Sequence, residues 1–298
     1  MFKYGVNKAT WGHFFDPDDF KTFFSQVVET GAEIAEFRPP DPLLLNDQQK
    51  IKETCQLAAA NGIQMTFTFA LGFDMRSEDA FTRKYAVEHL SAAIRTVAAL
   101  KGIALSGVPY STWPPRYDST PITKQMKHDQ TQRCIECIRQ VMPLAEDSGV
   151  RLNMEVLNRF ENYIINTAAE GIAFAKAVDS KNCALLLDTF HMSIEEDDIP
   201  AAIRSAKNYI GELHVTEPNR KVPFHNKRIN WQEIGQTLKD IGFDKPIIIE
   251  AVLAFDDASS YNMRMWRDQI ADTSITGRIN EMKKGIAFLK EQFNDKRK

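Results

Sequence analysis

Four short apolar runs in this 298-residue sequence end on side chains that can bind a metal. Arg151-Leu152-Asn153-Met154-Glu155, Ala184-Leu185-Leu186-Leu187-Asp188, Gly211-Glu212-Leu213-His214 and Pro246-Ile247-Ile248-Ile249-Glu250 each close on a carboxylate or an imidazole. An isolated buried charge is very costly. Three carboxylates and one imidazole escape that cost if they share a divalent cation. Hard oxygen donors with a single nitrogen suit Mn²⁺, Co²⁺ or Mg²⁺. With no cysteine in the set, a structural zinc is disfavoured. The competing account gives each residue a separate salt bridge, cap or strand-end hydrogen bond. Recurrence at four successive strand ends favours the shared site.

Other functional side chains lie just past the same runs. His191 ends Asp188-Thr189-Phe190-His191, Glu161 lies six residues beyond Glu155, and Arg220 lies six beyond His214. Such loop donors and acceptors suit an oxygen-rich, polyhydroxy ligand, although each could serve a local hydrogen bond or a surface charge. Trp11, Phe69 and Trp113 also stand at or past strand ends. Aromatics there wall a sugar pocket or fill the top of the core, and Trp113 is the preferred wall. Glu36 could meet the ligand or pair with Arg38. Cys134 and Cys137 have the spacing of a redox or zinc motif. They sit in a long helical stretch with no second CxxC and no nearby His, so they read as ordinary helix residues.

Holding these residues together requires a particular scaffold. Short apolar or β-branched runs alternate with longer helical stretches, the pattern of parallel strands with crossover helices. Eight strands are predicted, ending near Val6, Glu36, Phe69, Val108, Glu155, Asp188, His214 and Glu250. Helices are expected from Asp16-Pro17 to Gly31, Asn46 to Gly62, Ser77 to Gly102, about Ile122 to Gly149, from Thr167 with Glu170 completing a capping box, Asn230 to Gly242, and about Thr276 to Phe293. Pro109 to Pro121 and Thr216 to Ile229 read as long loops. Eight units without an obvious linker predict one (β/α)8 TIM barrel over residues 1–298 as a single domain, with a doubly wound open sheet as the alternative. Residues at the carboxyl ends of barrel strands face a common pocket.

Composition narrows the function. A formal charge of −3 argues against nucleic acid, which needs a basic surface. No apolar run reaches the roughly 20 residues that span a bilayer, and the N-terminus is too short and polar for a signal peptide. A cytoplasmic protein is expected, with no membrane partner.

Asn153 through Glu161, Leu187-Asp188-Thr189-Phe190-His191-Met192 and His214 through Arg220 resemble the D-tagatose 3-epimerase family, which includes the D-psicose (D-allulose) 3-epimerases, within the xylose isomerase-like barrels. Tyr110-Ser111-Thr112-Trp113-Pro114 and Trp266-Arg267-Asp268 extend the likeness over nearly the whole chain. The resemblance implies that Glu155, Asp188, His214 and Glu250 ligate Mn²⁺, with Glu155 and Glu250 doubling as an acid/base pair. It implies that Glu161, His191 and Arg220 bind a small-molecule ketose near its O1 to O3 end. It also implies a homodimer or homotetramer. The sequence departs from the family at Asn7-Lys8, where an aromatic is usual, and at Phe37-Arg38-Pro39-Pro40. It departs again at Pro223 to Lys227 and at Ala251 to Phe255. These positions surround the pocket mouth and bear on the substrate more than on the chemistry.

Epimerisation at C3 of a ketose removes a proton beside a carbonyl and leaves an enediolate, which a metal chelated by O2 and O3 stabilises as a Lewis acid. Inversion needs a second carboxylate to return a proton to the opposite face. Aldose–ketose isomerisation, or dehydration of an inosose-type cyclitol, would use a similar set. An apurinic-site endonuclease would want more histidines than the six present and a basic face. A non-catalytic sugar-binding barrel would have no use for an acid/base pair. Lys221, Lys227 and Arg228 could contact a substrate phosphate or form a solvated basic loop.

Overall fold

Eight parallel strands close into a barrel in chain order: β1 (Lys3–Asn7), β2 (Ile34–Phe37), β3 (Gln64–Leu71), β4 (Ala104–Thr112), β5 (Arg151–Glu155), β6 (Cys183–Asp188), β7 (Ile210–His214) and β8 (Pro246–Ile249). This is the (β/α)8 TIM barrel expected from the alternation. The computed structural model describes residues 1–39, 47–113, 121–226 and 228–295. An outer layer is formed by α1 (Phe20–Thr30), α2 (Gln48–Ala60), α3 (Ala80–Ala99), α4 (Lys124–Asp147), α5 (Ala168–Val178), α7 (Ile199–Ala206), α8 (Trp231–Asp240) and α10 (Ile275–Gln292). Two short helices, α6 (Thr189–Glu195) and α9 (Ala258–Asn262), are inserted past β6 and β8, and a 3₁₀ helix (Lys8–Phe14) follows β1.

The strands form where apolar residues run on without alternation, because both faces of a parallel barrel strand are covered. Every residue of β6 and of β8 is buried. The helices begin at side-chain caps that satisfy otherwise orphaned N–H groups. Thr167 caps α5 and Asn230 caps α8, as expected. Glu170 does not complete a capping box, since its carboxylate accepts instead from Asn166 N and Lys127 Nζ. Three other starts fall later than the sequence suggests. Asp19 rather than Asp16 caps α1, its carboxylate accepting from Thr22 N at 3.0 Å. Asp79 rather than Ser77 caps α3, its two carboxylate oxygens accepting from Phe81 N and Thr82 N. Asp47 caps α2, while Asn46 lies outside the described residues.

Two further corrections concern strand four and the chain after strand six. β4 continues to Thr112, so Pro109 to Thr112 is strand, not loop. Residues 114–120 lie outside the described residues. Between β6 and β7 stand α6 and α7, each only about two turns long, so neither gives a sustained helical pattern in the sequence. Asp198 followed by Pro200 was the available start signal for α7.

The barrel interior carries a polar layer beneath its carboxyl-terminal rim. Asn7 Nδ2 donates to Glu36 Oε2 at 2.7 Å, and Thr66 Oγ1 on β3 donates to Glu212 Oε2 on β7 at 3.1 Å, across the barrel. Below it the packing leaves no room at Gly211. A Cβ there would overlap Asn153 Oδ1 and come within 2.8 Å of Ala184 Cβ and Arg151 Cδ. Gly211→Ala is therefore expected to lower stability by about 1–3 kcal/mol, the usual range for overpacking, read as a lower urea midpoint.

Candidate active site

Glu155 and Asp188 are the last residues of β5 and β6, His214 ends β7, and Glu250 directly follows β8. All four are buried, and one donor atom from each lies within 4.8 Å of the others. The barrel thus brings together the set read from the strand ends. Each side chain is fixed by its surroundings. Asp188 Oδ1 caps α6 by accepting from Phe190 N at 2.9 Å, which leaves Oδ2 directed to the site. Tyr110 Oη donates to the Glu155 carbonyl at 2.7 Å and anchors the end of β5. His214 Nδ1 faces Glu250 Oε2 at 3.2 Å.

Arg220 lies over this group. Its Nη1 donates to Asp188 Oδ2 at 2.5 Å and to Glu250 Oε2 at 2.9 Å, and its guanidinium stacks on the Phe190 ring at 4.1 Å. Its φ of 61° is a left-handed conformation unusual for a side-chain-bearing residue. The turn is closed by Arg220 N donating to Glu217 O at 2.8 Å and Val252 N donating to Arg220 O at 3.1 Å. His191 Nδ1 accepts from Asn158 N at 3.1 Å, so the other ring nitrogen carries the proton, 3.3 Å from Glu155 Oε1. Glu161 Oε2 accepts from Trp113 Nε1 at 2.8 Å, and its Oε1 accepts from Asn158 Nδ2 at 3.1 Å.

These residues surround a cavity of about 280 Å³, lined by Glu155, Glu161, His191, Arg220, Glu250 and Trp113. Asp188 and His214 are buried and are not among its walls. Phe69 lines it too, whereas Trp11 is buried edge-on against Phe23, at 5.1 Å between rings, with Nε1 donating to Gln26. Lys221 and Arg228 are not among the cavity's walls, and Lys227 lies outside the described residues. The cations at the cavity mouth are instead Lys8 and Arg38, from the β1 and β2 ends. Cys134 and Cys137 are free thiols on the buried face of α4, where burial raises both thiol pKa values.

The electrostatics separate the carboxylates. Burial, reinforced by the charge of Glu250, raises Glu155 above the ordinary range despite a hydrogen bond from His191. Burial would raise Glu250 as well, but Arg220 and His214 hold it down to about 2. Against burial, the carboxylates of Glu36 and Glu250, with the hydrogen bond to Glu212, raise His214 well above a normal imidazole.

Glu36 and Glu212 form a second buried set. His214 Nε2 lies 3.0 Å from Glu36 Oε2 and 3.1 Å from Glu212 Oε1. Glu36 therefore pairs with His214 instead of Arg38 and is not among the cavity's walls. Glu212 was not singled out from sequence, although it precedes His214 by two and so shares its face of β7. A carboxylate on the far nitrogen of a ligating imidazole fixes its tautomer and orientation, and losing such a partner costs about 10–100-fold in metal affinity. Glu212→Gln is expected to weaken Mn²⁺ binding by that factor, measured by calorimetric titration of metal-stripped protein.

Residues 24–291 match the family described as the xylose isomerase-like TIM barrel. This chain belongs to that family. It is 38% identical over 268 residues to a D-psicose 3-epimerase of Ruminiclostridium cellulolyticum, covering 89% of each chain. It is 33% identical to a D-psicose 3-epimerase of Agrobacterium fabrum, over 96% of this chain and 97% of that one. A crystal structure of D-psicose 3-epimerase with D-tagatose from Clostridium cellulolyticum superposes with a TM-score of 0.89 at 35% identity, covering 98% of this chain and 99% of the other. The expected likeness to the ketose 3-epimerases is thereby borne out.

Proposed function

We propose that this protein is a divalent-metal-dependent ketose 3-epimerase, an isomerase of the D-tagatose/D-psicose 3-epimerase type. The observation that carries this reading is the convergence of Glu155 and Glu250 on one metal-competent cluster in the floor of a sugar-sized pocket. The donors fit a hard divalent cation, because three buried carboxylates outweigh the single charge of Arg220. Glu155, Asp188, His214 and Glu250 would hold it, with Mn²⁺ the preferred ion by the family resemblance. When bound, it supplies Lewis-acid stabilisation of charge developing on the ketose oxygens.

The chain's own residues move the protons. One of Glu155 and Glu250 removes the C3 proton, and the other delivers a proton to the opposite face, which inverts the centre. Three steps around the barrel separate β5 from β8, so the two carboxylates can flank a flat enediolate. Arg220 and His191 supply N–H donors beside them, and Glu161 supplies an acceptor. Trp113, tethered to Glu161, walls the sugar.

Ketohexoses and ketopentoses incubated with Mn²⁺ test the reading, with products resolved by chromatography and NMR. A 3-epimerase keeps the ketone at C2. An aldose product would establish an isomerase instead, and loss of water a dehydratase. We further propose one functional domain over residues 1–298, acting as a homodimer or homotetramer, as in the family it resembles; light scattering on the purified protein reads the mass. Four free thiols suit a reducing cytoplasm. No described helix is long and apolar enough to cross a membrane.

A further inference from the structure

We propose that the β1–β2 side of the pocket is an anion subsite, formed by Lys8 and Arg38, so that the ketose carries a phosphate or carboxylate at the end away from its carbonyl. The inference rests on the epimerase reading and names its substrate class. The reacting part of the sugar must lie at Glu155 and Glu250, which follow β5 and β8. Strands β1 and β2 stand across an eight-stranded barrel from β5, which ends on Glu155, while β1 is paired with β8 on its other side. Lys8 directly follows β1, Arg38 directly follows β2, and both line the same cavity as Glu155 and Glu250. A ketose held between Glu155 and Glu250 and extending away from β5 therefore reaches these cations.

Lys8 Nζ donates to the neutral Ser259 Oγ at 3.0 Å, and among the described residues neither Lys8 nor Arg38 forms an ion pair. The nearby Asp257 uses its carboxylate to cap α9, accepting from Ser260 N at 2.8 Å. Lys8 is half-buried; burial and the like charge of Arg38 lower its pKa, partly offset by Asp257 and Glu250. Two cations on one cavity wall, Lys8 half-buried and Arg38 exposed, are arranged for a shared anion, since a phosphate or carboxylate accepts several charge-assisted hydrogen bonds at once. Neutral hydroxyls would need no such pair. The basic loop after β7 does not serve this role, because Lys221 and Arg228 stand outside the cavity's walls.

The test compares D-fructose, D-fructose 6-phosphate and D-fructuronate, which differ only at C6, on the Mn²⁺-loaded protein. Calorimetric Kd and kcat/KM for C3 epimerisation are measured for the wild type, Lys8→Met and Arg38→Met. At least one anionic ketose is expected to bind tenfold or more tightly than D-fructose, and the phosphate and carboxylate arms say which anion fits. In each variant the anionic-to-neutral affinity ratio should fall at least tenfold. Tighter binding of D-fructose than of both anions would overturn the subsite, as would variants that weaken all three ligands equally. Selective anion binding without inversion at C3 would sustain the subsite and overturn the epimerase reading, so the two failures are distinct.

Discussion

Replacing Glu155 or Glu250 by Gln is expected to lower kcat by about 10²–10⁴-fold, the range that a positioned general acid or base contributes. The amide is nearly isosteric with the carboxylate but can neither take the C3 proton nor return one. Because both steps are needed to invert a centre, either loss alone carries the full drop in kcat. The double variant should be scarcely worse than either single one, since residues that act as a unit are strongly non-additive. The surroundings allow the fold to survive. In Glu155→Gln, His191 keeps its hydrogen bond from Asn158 N. In Glu250→Gln, Arg220 keeps Asp188 as partner. Circular dichroism should be unchanged, and kinetics on the cation-saturated protein read the loss. Near-wild-type turnover in either variant would remove that residue from the acid/base role.

Much of this site was legible before any fold was known. The signal was positional: polar residues closing apolar runs, repeated four times, become neighbours only if the strands are parallel and the sheet is closed. Closure also explains what was missed. Glu36 was seen as a strand end, but its partner could be any cation nearby in sequence, and Arg38 was the nearest. Only the barrel brings β2 and β7 close enough for Glu36 to meet His214 at 3.0 Å. Arg220 was read as a loop donor, and its left-handed φ and paired contacts to Asp188 and Glu250 depend on a turn that no local pattern specifies. Helix starts were displaced by two or three residues where several capping residues lie together, as at Asp16, Asp18 and Asp19, because each can cap and packing selects one. Lys8 stood out only as a departure from the resembling family, and Arg38 as a departure and as a possible partner of Glu36. That they line one cavity follows from β1 and β2 being neighbours.

Chelation of the bound cation should abolish epimerisation, and Mn²⁺ or Co²⁺ should restore it. The reason lies in the charge balance of the floor. Glu155, Asp188 and Glu250 are all buried, and Arg220 contributes one compensating charge through its contacts to Asp188 and Glu250. Buried charges left without adequate partners are destabilising. A cation that binds the folded protein alone adds stability by mass action, about 2.7 kcal/mol at a concentration 100 times its Kd. For a domain of this general size that raises Tm by several degrees, which calorimetry of stripped and reloaded protein measures independently of turnover. Full activity in protein shown to be metal-free would end the metal's catalytic role. Glu155→Gln and Glu250→Gln divide the two jobs assigned to these carboxylates. As acid and base, they should remain inactive even when saturated with Mn²⁺. As ligands, they should also lose part of the metal-dependent gain in Tm, and a variant that kept the whole gain would be an acid or base that does not hold the ion.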